Sequence, residues 1–69
     1  MNNWVKVFGS NQLIEAEMIK SLLLENDIEA ILINKIDSSY LFGQAEIFCL
    51  PDDVLAAKKL ILTYFEPNE

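Results

Sequence analysis

Six polar side chains fall within seven residues, Asn34-Lys35-Ile36-Asp37-Ser38-Ser39-Tyr40, and Gly43 follows shortly after. Together they offer donors, acceptors and one cation, which is what recognition of a small polar ligand or a partner protein requires. The same residue types also close turns between antiparallel strands, because Asn, Asp and Ser side chains bond to their own backbone. Catalysis is a poorer reading, since a general base tuned near neutral pH is needed and the chain has no histidine.

Other residues invite chemical readings and mostly answer to simpler ones. Glu15 falls among apolar positions of an amphipathic stretch, either as a first-turn acid complementing a helix dipole or as a carboxylate at the mouth of a pocket. Asp52-Asp53 opens a second helical stretch, where acids also suit the dipole, and a hard cation would need more oxygen ligands than this pair supplies. Cys49 stands in an alternating apolar run with no activating partner nearby in sequence, as expected of a small core residue. Gly9-Ser10-Asn11 precedes a helix but matches neither common nucleotide-binding fingerprint. No metal site and no cofactor are expected.

The elements that would position these residues follow from periodicity and punctuation. Trp4–Phe8 alternates around Lys6 and predicts a first strand, after which Ser10 or Asn11 can cap a helix from about Gln12 to Asn26. That helix ends at Asn26-Asp27, where a left-handed residue is tolerable. A second strand from Ile28 to about Lys35, a loop, and a third strand from Gln44 to Leu50 come next, the last terminated by Pro51. Pro51-Asp52-Asp53 then starts a second helix reaching about Tyr64 or Phe65.

The order β-α-β-β-α predicts an α+β fold, a ferredoxin-like two-layer sandwich whose fourth strand is missing or vestigial. One domain is expected over residues 1–69, ordered from about 3 to 65 and ending in a polar tail over 66–69. At 69 residues the core is small, so contact with a partner would add meaningfully to stability.

Composition limits the partners. Eleven acids against five lysines, with no arginine, give a net charge of −6, the wrong sign for a nucleic-acid backbone. No apolar run approaches the ~20 residues needed to cross a bilayer, and no basic leader opens the chain. A cytoplasmic location, no membrane association and no nucleic-acid partner are expected.

Period-two and helical spacing sort the apolar residues into faces. Ala16, Ile19, Leu22 and Leu23, flanked by Ile14 and Met18, form the inward side of the first helix, and Val54, Ala57, Ile61 and Tyr64 that of the second. Val5, Val7, Ile28, Ala30, Leu32, Ala45, Ile47 and Cys49 would meet them. Trp4, Phe8, Ile31, Ile33 and Phe48 then fall on the other face of the sheet, with Lys6 and Glu46 placed to pair. A face this apolar without a covering layer predicts self-association into a homo-oligomer, there or along the open first strand.

Trp4-Val-Lys-Val-Phe8, Ile14-Glu-Ala-Glu17, Leu22–Ala30, the Asn34–Tyr40 segment, Phe42–Ile47 and Leu50-Pro-Asp-Asp53 together resemble a small bacterial family, the putative prokaryotic signal-transducing proteins. The resemblance covers nearly the whole chain. It implies a fold similar to the nitrogen-regulatory signal proteins and other ferredoxin-like regulatory domains, which oligomerise and receive ligands or partners through the loop between the second and third strands. Asp27 stands where the family usually has glycine, and the loop is much shorter than that of the nitrogen regulators. The expected function is a non-enzymatic regulatory binding domain that uses Asn34, Lys35, Asp37, Ser38, Ser39, Tyr40 and Gly43, together with Glu15. The alternative is a structural adaptor acting through the apolar sheet face alone.

Overall fold

Alternating apolar residues and two amphipathic stretches produce the expected elements in a computed structural model that describes residues 3–66. They are β1 (Val5–Ser10), α1 (Leu13–Glu25), β2 (Ala30–Asn34), β3 (Ala45–Cys49) and α2 (Val54–Phe65), with one 3-10 turn over Pro51–Asp53. The sheet order is β1-β3-β2, and β3 runs antiparallel to both neighbours. This is the split β-α-β arrangement of a ferredoxin-like sandwich lacking its fourth strand. From Pro67 onward, the expected polar tail lies outside the described residues.

The core forms where the helices meet one sheet face. Ala16, Ile19 and Leu23 of α1 and Ala57 and Ile61 of α2 are buried against Ile28, Ala30, Ala45, Ile47 and Cys49. Cys49 is completely enclosed, and burial raises its thiol pKa, with Asp53 pushing the same way. It is a packing residue and a poor nucleophile at neutral pH. Ile14 and Met18, expected to flank the inward side of α1, are exposed instead.

Helix α1 stops through a Schellman motif. The Ile28 amide donates to the Leu23 carbonyl at 3.0 Å and the Asp27 amide to the Leu24 carbonyl at 3.1 Å, with Asp27 at φ 63°. Its left-handed conformation is the one that favours glycine, and an aspartate adopts it at modest cost. The buried Leu23–Ile28 pair provides the apolar contact that accompanies this cap.

The first strand departs from the expectation. It continues through Gly9 to Ser10, and its register against β3 slips between Lys6 and Phe8: Lys6 opposes Phe48, whereas Phe8 opposes Ile47. The extra residue is a β-bulge at Val7, which reverses the parity of everything after it. Phe8, expected on the uncovered face, therefore packs on the helix side and stacks on Phe65 at a centroid distance of 5.7 Å. Ser10 is carried inward by the same slip and is buried.

On the other face, Trp4, Ile31, Ile33, Phe48 and Leu50 are each half-buried, and among the described residues no helix lies over them. Glu46 sits among them, accepting from Lys6 at 3.2 Å and lying 3.1 Å from Lys35. Hydrogen bonds from Lys35 first and then Lys6 hold its carboxyl below the ordinary glutamate pKa.

Candidate functional site

The loop between β2 and β3 begins by satisfying its own backbone. Asn34 Oδ1 accepts from the Ile36 amide at 2.9 Å, forming an Asx-turn where the strand ends. Asp37 Oδ1 accepts from the amides of Ser39 and Tyr40 at 3.0 and 3.3 Å. The Asp37 main chain closes the turn: its amide donates to Phe42 and its carbonyl accepts from Leu41, both at 2.8 Å. One aspartate thus gathers four hydrogen bonds of a six-residue turn.

Gly43 completes the return. Its φ is +93°, and a Cβ at this position would strike the Lys35 carbonyl oxygen. The close approach keeps the two limbs together while the Lys35 amide donates to the Gln44 carbonyl at 2.9 Å. Glycine is required here by both conformation and space.

The polar groups singled out in the sequence therefore separate. Asn34 and Asp37 are committed to turn formation, and Lys35 reaches back over the sheet to Glu46. Ser38, Ser39 and Tyr40 remain exposed. Glu15 stands apart from the loop: it is half-buried at the start of α1 and accepts from Ser10 Oγ at 2.7 Å. Ser10 Oγ in turn accepts from the Gln12 amide at 3.0 Å.

Those contacts settle how α1 begins. Gln12 occupies the cap position without a side-chain cap of its own, so neither Ser10 nor Asn11 caps the helix as expected. Ser10 instead links the end of β1 to the first turn through Gln12 and Glu15. Glu15 acts as a strap for this junction.

What the turn displays is apolar. Tyr40, Leu41 and Phe42 are 76%, 87% and 63% exposed, and the Tyr40 and Phe42 rings lie 6.3 Å apart. Leu41, just before the closing residue Phe42, sits at φ 58° and its side chain stands out in solvent. A groove of about 250 Å³ separates this tip from the start of α1, lined by Asn11, Gln12, Ile36, Leu41 and Gly43. Sequence reasoning passed over Leu41 and Phe42; the signal was present, as two large apolar residues inside a segment otherwise rich in turn formers.

Among the described residues, no group of three or more acids, cysteines or histidines is arranged to hold a metal ion. No helix there is long and apolar enough to cross a membrane. Asp52 and Asp53 occupy the 3-10 turn ahead of α2, where their charge complements the helix start.

Residues 4–64 match the model of the family described as "Putative prokaryotic signal transducing protein", and the chain belongs to that family. No curated protein and no solved structure matches it.

Proposed function

We propose that this family member works by binding and not by catalysis, presenting the loop between β2 and β3 as a rigid recognition knob for a partner protein in signal transduction. The observation that carries this reading is the exposure of Tyr40, Leu41 and Phe42 on a turn fixed by Asp37 and Gly43. Large side chains held in place before binding lose little entropy when they enter a pocket, and aromatic residues are the usual anchors of such contacts. A small polar ligand is less well served, because Asn34 and Asp37 already direct their oxygens to the loop's own amides.

The test compares the chain with a Tyr40→Ser, Leu41→Ser, Phe42→Ser variant as immobilised bait for bacterial lysate. A species retained by the parent chain and by a Lys20→Ala control, but not by the triple variant, supports the reading. Equal retention by all three overturns it.

Self-association belongs to the same proposal, and the uncovered sheet face supports it. Trp4, Ile31, Ile33 and Phe48 form an apolar surface around the Lys6–Glu46–Lys35 cluster, with no second layer among the described residues. The same surface supports the adaptor reading, in which this face alone engages other proteins. Loss of binding on substituting Phe48, with the triple loop variant unaffected, is the result that would favour it.

A further inference from the structure

We infer that the second copy joins along the free edge of β2, as an antiparallel two-fold pair centred on Leu32, giving one continuous six-stranded sheet. This rests on the self-association reading above and adds where, and in what register, the copies meet.

The two sheet edges differ in what they offer. β1 is interrupted by its bulge at Val7, which sits beside a groove formed with Lys58, Ile61 and Leu62 of α2. Bulges of this kind hinder strand addition. β2 has no bulge, no proline and no charge within Ala30–Asn34, and its pairing with β3 is unbroken over five residues. The bulge that protects β1 has no counterpart here.

Hydrogen-bond parity then selects the register. The Lys35 amide points to β3, donating to Gln44. Alternate residues of a strand face opposite neighbours, so Ile31 and Ile33 also face β3, while Ala30, Leu32 and Asn34 direct their amides and carbonyls to the open side. A two-fold axis at Leu32 makes Leu32 a mutual hydrogen-bonded pair with its counterpart and sets Ala30 against Asn34 on either side. All three outward-facing residues of the strand are satisfied in each copy.

The side chains agree with that register. Ile31 falls opposite Ile33 of the second copy, twice, extending the apolar surface of the uncovered face across the seam. One step further out, Glu29 falls opposite Lys35, again twice; both residues are exposed. Lys35 can lean toward this acid without stranding Glu46, which retains Lys6 at 3.2 Å. Sliding one strand past the other by a single residue would set each outward-facing residue against one that faces β3, and would lose both opposite-charge pairs.

The experiment uses sedimentation at high micromolar concentration with the parent chain, Glu29→Lys, Lys35→Glu, and an equimolar mixture of the two variants. The parent chain should be a dimer. Each variant alone sets like charges opposite one another and should raise the dissociation constant about tenfold or more. Mixing should restore the dimer, because one copy then carries lysine and the other glutamate at both positions 29 and 35, so both seam contacts of the mixed pair again join opposite charges. In the parent chain, the amides of Ala30, Leu32 and Asn34 should exchange slowly when concentrated and quickly on dilution.

A monomeric parent chain overturns self-association altogether. A dimer that survives both single variants, a mixture that stays monomeric, or fast exchange of those amides within a dimer overturns this edge and register while leaving self-association standing.

Discussion

The hairpin loop and the uncovered sheet face carry similar side chains and treat them in opposite ways. On the sheet, aromatic and aliphatic groups lie side by side on paired strands, so each shelters its neighbours and all are half-buried though no described element covers them. On the loop, Asp37 and Gly43 force a turn too tight for the side chains to fall back on the strands, and Tyr40, Leu41 and Phe42 stand clear. Exposure here is set by backbone geometry more than by residue type. The loop's polar residues hold the shape, and its apolar residues form the surface.

Substitutions in the two regions should separate them sharply. Gly43→Ala should have the largest effect, about 2–3 kcal/mol in denaturant unfolding, because the methyl group collides with the Lys35 carbonyl and the conformation itself is disfavoured. Phe48→Ala should cost about 2 kcal/mol, roughly half the loss for a fully buried phenylalanine. Equal stability of Phe48→Ala and the parent chain would show that the sheet face gains nothing from mutual shelter.

Asp37→Ala should cost about 1 kcal/mol through loss of the two amide contacts, with Asp37→Asn restoring most of it. A smaller effect is expected at Glu46. Because Lys35 and Lys6 lower its folded pKa, the stability it contributes is fully present above the unfolded value and is lost as pH falls through the folded one. Unfolding of Glu46→Gln and the parent chain should therefore differ near neutrality and converge in acid. Phe42→Ser should change stability by no more than about 0.5 kcal/mol while weakening partner capture. A large loss of stability there would mean the tip packs on the body of the protein and is no recognition surface.

Much of the fold was legible because local signals agreed with one another. The short β-branched and apolar runs within Ile28–Lys35 and Gln44–Leu50, the stop at Pro51 and the helical stripe of Ala16, Ile19 and Leu23 all point to the observed elements. The bulge was not legible. Val5, Val7 and Gly9 alternate with Lys6 and Phe8 as in any regular strand, and only pairing with β3 reveals that Val7 is the extra residue.

That single slip moved Phe8 to the helix side and brought Ser10 beneath Glu15, so a misplaced side chain and an unexpected strap share one cause. The loop was found but its emphasis was reversed. Turn-forming types announce where a chain bends, and whether their polar atoms are spent on the bend depends on dihedral angles that residue identity does not determine.

The strand order carries a consequence for how the chain can acquire its structure. β1 and β2 never touch through hydrogen bonds; every ladder in the described sheet runs through β3. A nascent chain that has reached Gly43 holds two of the three strands and none of the sheet. Until Ala45–Cys49 emerges, the apolar sides of β1 and β2 have only α1 to lie against, and β1 must then pair with a strand far along the chain. Assembly of the sheet is therefore a late, concerted event, paced by the arrival of its central strand.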